Sequence, residues 1–147
     1  MGYFMNSSYQ LTLTDVADAA LENQIVKALF EFNESKVGPS NSKPVLVAIR
    51  DADGLVVGGL SGQTSRGWLF THFLVVPEAM RGLGVGKKVL NMAETEAINR
   101  GCIGAWLDTF EFQARGFYEK MGYSCFGQIN DYPSGFSRFF MKKSLLA

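Results

Sequence analysis

The chain has 147 residues, 47% hydrophobic and 19% charged, the size and composition of one globular domain that closes a core without disulfide or metal staples. Fourteen basic residues balance fourteen acidic ones, so no overall field gathers nucleic-acid phosphates or anionic lipid, and neither is an expected partner. No apolar run approaches the ~20 residues of a membrane span, the first residues lack the basic-then-apolar pattern of a leader, and the expected location is the cytoplasm.

In chain order, YQLTLTD (residues 9–15) alternates Leu11 and Leu13 with polar residues and predicts a first strand; Thr14 is then the candidate cap of a helix starting at Asp15. Leu21, Ile25, Ala28, Leu29 and Phe32 recur at spacings of three and four and give that helix one apolar face. VGPSNSKP breaks it. Residues 45–62 read as two strands joined at Asp53-Gly54, a hairpin signal because glycine tolerates the positive φ of a tight turn.

RGWLFTHFLVV (66–76) predicts a fourth strand, apolar on both faces and hence central, with Trp68, Phe70, His72, Leu74 and Val76 on one side and Leu69, Thr71, Phe73 and Val75 on the other. A helix follows from about Val85 to Arg100, with Val85, Val89, Met92, Ala93 and Ala97 facing the core. CIGAWLDTF is a fifth strand, FQARGFYEKM a short helix, GYSCFGQI a sixth strand, NDYPSG a loop of turn formers and FSRFFMKKSLL a final strand. No repeat or linker interrupts the chain, which predicts one domain over residues 1–147. Cys102 and Cys125 fall in predicted strands without a paired spacing and read as buried thiols. One histidine and no clustered cysteines argue against a metal site.

The junction RGLGVGKKVL (81–90) concentrates chemistry. A loop that leaves a strand and enters a helix presents N–H groups that no helical carbonyl satisfies, at the positive end of the helix dipole. Gly82, Gly84 and Gly86 remove Cβ atoms from that cradle, and Arg81 and Lys87 add charge at its rim, so a pyrophosphate is the natural guest. Glycines also serve plain tight turns, and the turn alone leaves both readings open. The spacing fits neither G-x-x-x-x-G-K-[ST] nor G-x-G-x-x-G, which points away from ATP and NAD.

Arg81-Gly82-Leu83-Gly84-Val85-Gly86 resembles the R-x-x-G-x-G signature of the GNAT superfamily of N-acetyltransferases, and FYEKMGY (117–123) resembles its F-Y-x-K-x-G-[FY] segment. LDTFEFQARGFYEKMGY with DYPSGFSRFF is similar to a bacterial branch whose substrates are mostly unassigned. The resemblance implies an α/β (α+β) fold: a mixed, mostly antiparallel twisted sheet of about seven strands flanked by helices and splayed between strands four and five. It implies acetyl-CoA as donor and a primary amine of a small molecule or peptide as acceptor, joined by direct attack in a ternary complex. A non-catalytic acyl-CoA sensor on the same fold is the alternative, and an acyl group other than acetyl stays open.

By the same resemblance the pyrophosphate lies on residues 81–87, the thioester arm bonds the backbone of Leu74, Val75 and Val76, and Phe117 belongs to the cofactor side. Tyr118 is the candidate general acid, since a phenol with an ordinary pKa of ~10 stays protonated at neutrality; it also fits an apolar stripe with Ala114, Phe117 and Met121. His72 is the candidate base, at a position where relatives often carry an acidic residue. Asp108 and Glu111 are its rivals, although Asp108 also suits a strand end or helix cap; Glu111 stands where Asn is common in the family. Phe110, Tyr132, Phe136 and Arg138 are candidates for the acceptor wall, Arg138 favouring an anionic acceptor, Asp131 and Glu111 a cationic one. Relatives are often dimers, and the apolar final strand is a candidate for extending the sheet across an interface.

Overall fold

The computed structural model describes residues 3–5 and 8–147, which divide between two compact units, Met1–Pro39 and Ser40–Ala147. In the first unit β1 (Tyr3–Met5) pairs antiparallel with β2 (Gln10–Thr12), Tyr3 opposite Thr12. The first strand expected from sequence therefore belongs to a two-stranded ribbon, and the main sheet has six strands instead of about seven. Alternation specifies a strand but not its partner, and the partner nearest in sequence needs the least loop closure.

α1 (Ala19–Val37) starts later than Asp15, because the capping residue is Asp18 and not Thr14. The Asp18 carboxylate accepts the Leu21 N–H at 3.0 Å, where its charge also meets the positive helix end; Thr14 Oγ1 accepts the Val16 N–H at 3.1 Å in a local turn. Gly38, at φ +81°, closes the helix by donating its N–H to the Glu34 carbonyl. No residue of α1 is buried.

The second unit is built on the strand order β3-β4-β5-β6-β8-β7. Its strands are β3 (Lys43–Arg50), β4 (Val56–Ser65), β5 (Trp68–Val75), β6 (Gly104–Phe110), β7 (Ser124–Ile129) and β8 (Arg138–Ser144). Only β5 and β6 run parallel; the connection between them carries a single 3-10 turn (Glu78–Met80) and α2 (Val85–Asn99). α3 (Arg115–Lys120) joins β6 to β7. The β3–β4 turn is held by the Asp51 carboxylate, which accepts the N–H groups of Asp53 and Leu55, with Gly54 at φ +82°. β8 is paired on both sides, so the final strand has no free edge for a partner; the sheet ends at β3 and β7.

α2 buries Val89, Leu90, Ala93, Glu94 and Ala97, while Met92, expected on this face, is 60% exposed. The exchange of Met92 for Glu94 has a local cause. Glu94 Oε2 accepts from the Tyr123 hydroxyl at 2.8 Å and Oε1 from Lys143 Nζ at 2.6 Å, so the buried carboxylate is both paired and hydrogen-bonded. Leu69, Leu90, Leu107 and Met141 are the largest fully buried side chains and bring β5, α2, β6 and β8 into one core. Cys102 is buried in the loop before β6 instead of within a strand; Cys125 is in β7 and half-buried.

The site is prepared by an irregularity in β5. Ser61 of β4 faces Phe73 and Gly62 faces Thr71, so His72 is an extra residue, a β-bulge. A Cβ on Gly62 would lie 2.4 Å from the Phe70 carbonyl oxygen, so glycine there lets the strands close on the bulge. The bulge flips the alternation. Leu69 and Thr71 are buried before it, whereas Leu74 and Val76 pack on the core after it and Phe73 and Val75 are exposed. The two-faced assignment expected for residues 68–76 therefore holds only up to Thr71.

Candidate active site

The parallel ladder between β5 and β6 ends at Thr71 opposite Leu107. Beyond it β5 runs on to Val75, while Asp108–Phe110 of β6 pair only with β8, and the strands part. The gap is a cleft of 380 Å³ walled by Thr71–Val76 on one side and Leu107–Thr109 on the other, with Arg81, Gln113 and Tyr118 completing it. A second cavity of 390 Å³ lies over the start of α2 and is lined by Gly82, Gly84, Val85, Gly86, Lys87 and Phe117 among others. The two share Leu74, Val76 and Arg81 as walls.

The three glycines of the junction do different work. Gly82 (φ +79°) and Gly84 (φ +75°, the cap of α2) hold left-handed backbone and face open space, so they shape a cradle of N–H groups. Gly86 instead allows close packing, since a Cβ there would touch Val76 at 3.4 Å and the Phe117 ring at 3.5 Å. Arg81 Nε donates to the Val76 carbonyl at 3.3 Å and braces the loop against the strand end. Leu83 is exposed and stands outside both cavities.

Tyr118, on α3, is buried and reaches the cleft. Burial first, and the Asp108 charge second, push its phenol up to about 12, so it stays protonated across the neutral range. His72 reaches the cleft from the bulge, its ring 4.4 Å from that of Phe70. Asp108 is committed elsewhere: its Oδ1 accepts from Arg138 Nε at 2.8 Å and also from Arg138 Nη2. The guanidinium lies 4.9 Å from the Phe110 ring and 4.8 Å from that of Tyr132. Arg138 is thus paired and stacked, which removes the expectation that it stands free for an anionic acceptor. Glu111 is outside the cleft lining and exchanges two bonds with Ser137, its Oε2 accepting the Ser137 N–H at 2.8 Å and its own N–H donating to the Ser137 carbonyl at 2.8 Å.

With this geometry in place, the chain compares closely with known proteins. The model of the Acetyltransferase (GNAT) family matches residues 13–123. The chain belongs to that family. Acetyltransferase Atu2258 of Agrobacterium fabrum (strain C58 / ATCC 33970) is 44% identical over 131 residues, 89% of this chain and 96% of that protein. Blasticidin-S acetyltransferase of Streptomyces morookaense is 39% identical over 93 residues, 63% of this chain and 68% of that one. The crystal structure of an Agrobacterium tumefaciens protein assigned as an acetyltransferase superposes with a TM-score of 0.87 at 42% identity, over 95% of this chain and 99% of that one. Structures of the same fold exist with coenzyme A and with acetyl coenzyme A bound. The protein is accordingly a GNAT N-acetyltransferase dependent on acetyl-CoA.

The GNAT cradle and cleft bring together most of the residues singled out from the sequence: Arg81, Gly82, Gly84, Val85, Gly86, Lys87 and Phe117 in one cavity, His72, Leu74, Val75, Val76, Asp108 and Tyr118 in or at the other. Phe110, Tyr132 and Phe136 form a cluster with Phe112: Phe110 and Phe112 stack at 5.2 Å, Phe112 meets Phe136 edge-on at 5.3 Å, and Phe110 lies 5.7 Å from Tyr132. Gln113 and Thr71 are among the cleft residues to which the sequence assigns no role. Gln113 Oε1 accepts the Phe110 N–H at 2.9 Å and the Thr109 hydroxyl at 3.2 Å, fixing the turn after β6; its place one residue before the α3 cap was the available signal. Nothing in the sequence context of Thr71 marks it. Among the described residues no cluster of three His, Cys, Asp or Glu suits a metal ion, and no helix is long and apolar enough to cross a membrane.

Proposed function

We propose that this enzyme moves the acetyl group of acetyl-CoA to a primary amine of a small molecule carrying a planar ring, by direct attack with donor and acceptor bound together. The observation that carries the reading is the position of Tyr118, a buried phenol held protonated in the cleft between β5 and β6. Residues 13–123, the span matched by the family, include parts of both compact units, and the whole chain is read as one catalytic domain.

Bound acetyl-CoA supplies an activated acyl group. The N–H cradle of residues 82–87 holds the diphosphate, assisted by Arg81 and Lys87, because unpaired donors and the helix dipole converge there. Leu74, Val75 and Val76, free of β6, offer backbone groups to the arm in the cleft. Tyr118 donates its proton to the departing sulfur. His72, at the bulge, takes the proton of the acceptor amine, which attacks only as the neutral base. Asp108, paired through Oδ1 with Arg138, is read as a positioning residue and not as the base. A covalent relay through cysteine is disfavoured, since neither thiol lines the cleft and burial raises that of Cys102 above its ordinary value.

The acceptor wall is the cluster of Phe110, Phe112, Tyr132 and Phe136, of which Phe112 is 56%, Phe136 44% and Tyr132 43% exposed. Exposed faces of stacked rings favour a flat ring. The relative named blasticidin-S acetyltransferase is consistent with a small-molecule acceptor. The test is thiol release by the purified protein from acetyl-CoA across a panel of amines. Preference for amines bearing a planar ring supports the reading, and equal turnover of aliphatic amines refutes the ring as the selected feature.

A further inference from the structure

Thr71 is the last residue of β5 still paired with β6, so it occupies the apex from which the two strands diverge. The residue is 3% exposed and is one of those that line the cleft, with Tyr118. Yet Oγ1 has no hydrogen-bond partner, and it is the only buried side-chain polar atom among the described residues in that condition. A hydroxyl left unpaired in a core carries its full desolvation penalty, and an apolar side chain of the same shape would avoid it. The other buried threonine and glutamate side chains among the described residues are satisfied, Thr64 by Arg100, Glu94 by two partners and Thr109 by Gln113. An orphan of this kind calls for a partner supplied from outside the chain.

The shape of the site limits what that partner is. The diphosphate end of the donor is fixed where Gly82 and Gly84 open the cradle, and Leu74 and Val76 are walls common to cradle and cleft. On the proposed reading of the two cavities, the part of the donor that continues past Leu74 into the cleft is its thioester end. That end offers one strong acceptor, the acyl oxygen; sulfur is a weak one. We propose that the Thr71 hydroxyl donates a hydrogen bond to the acyl oxygen of the bound thioester. The apex of the cleft then reads the acyl group itself and distinguishes acetyl-CoA from free coenzyme A. A fixed donor aimed at that oxygen also gains strength wherever negative charge collects on it.

The inference rests on reading the cradle and cleft as the donor site, and the test keeps the two apart. Wild-type protein, Thr71→Val and Thr71→Ser are titrated calorimetrically with acetyl-CoA and with coenzyme A, and each is melted without ligand. Expected is a Val variant that melts at or above the wild-type temperature, binds coenzyme A within about twofold of wild type, and binds acetyl-CoA roughly tenfold more weakly (~1.4 kcal/mol). The Ser variant, which keeps the hydroxyl, retains the wild-type preference. A Val variant that holds acetyl-CoA as tightly as wild type overturns the proposal, and so does one that melts lower with both affinities reduced alike, the mark of a packing role. If Val prevents folding, the Ser variant decides, and loss of its preference for the acetylated ligand counts against the bond. Wild-type protein that binds neither ligand would instead overturn the donor site.

Discussion

Replacing Tyr118 with phenylalanine removes one oxygen from the cleft and little else. The ring stays edge-on to Phe117 and Tyr123 at centroid distances of 5.2 and 5.8 Å, so packing is preserved. The melting temperature should therefore move by no more than a few degrees. On the proposed reading, what is lost is a donor to a sulfur that becomes negatively charged. Hydrogen bonds to charged groups contribute ~1.5–3 kcal/mol, which converts to a fall in kcat of about 10- to 150-fold. Affinity for acetyl-CoA should stay within about twofold, because the uncharged thioester sulfur accepts weakly. The pH profile adds a second reading. A phenol pushed up to about 12 keeps its proton at pH 9–10, so wild-type turnover should show no alkaline fall over that range attributable to this group. Steady-state thiol release and calorimetry on the same preparations check both points. A variant with kcat within about threefold of wild type, or one that loses kcat and donor affinity in equal measure, refutes Tyr118 as the acid.

Gly84→Asp places a carboxylate in the cradle at φ +75°, a conformation aspartate tolerates better than most residues; acetyl-CoA affinity should fall at least ~100-fold, about two tenfold steps of ~1.4 kcal/mol each, while calorimetric melting shows a folded protein. His72→Gln should lower kcat at least about tenfold with acetyl-CoA affinity little changed, and unaltered turnover would assign the base elsewhere. Stability should fall in alkali: Tyr118 binds its proton more tightly folded (about 12) than at the ordinary 10.0, so its contribution is complete below about pH 10 and is lost as pH rises toward 12. That loss is at most ~2.7 kcal/mol for two units. Tyr123, raised by burial and by Glu94, acts in the same direction. Urea unfolding at pH 8 and pH 11 measures the difference, which should be smaller in Tyr118→Phe.

The features legible in the sequence were those encoded locally. A glycine at positive φ announces itself where a strand meets a helix, and Gly82 and Gly84 take up that backbone. The stripe of α2, apart from Met92, follows from a period of 3.6. The bulge at His72 was invisible because residues 68–76 are mostly apolar on both faces, so a one-residue flip leaves no mark on the pattern. The burial of Glu94 has no local signal, because its partners lie 29 and 49 residues away in Tyr123 and Lys143. The orphaned state of Thr71 is a property of the splay, which exists only once β5 and β6 are paired up to that residue and no further.

The charges around the proposed acceptor wall illustrate the same limit. Read singly, Arg138 invites an anion, while Asp131 and Glu111 invite a cation. In the fold Arg138 is neutralised by Asp108, 30 residues away, Glu111 is bound to the Ser137 N–H, and Asp131 Oδ1 accepts the Gly135 N–H at 3.3 Å. An ionic acceptor would have to compete with bonds already made, and burying a charge without its partner is unfavourable. The surface left without such commitments is aromatic. Arg138 contributes to it indirectly, because its guanidinium lies over both Phe110 and Tyr132 and fixes the two rings in relation to β6, the strand that also carries Asp108. The same ion pair therefore orders the ring cluster on one side and, through the Asp108 charge, helps keep the Tyr118 proton in place on the other. On the proposed reading, ring selection and proton donation are coupled through one arginine-carboxylate contact, so a change at Arg138 would alter acceptor preference and Tyr118 chemistry together.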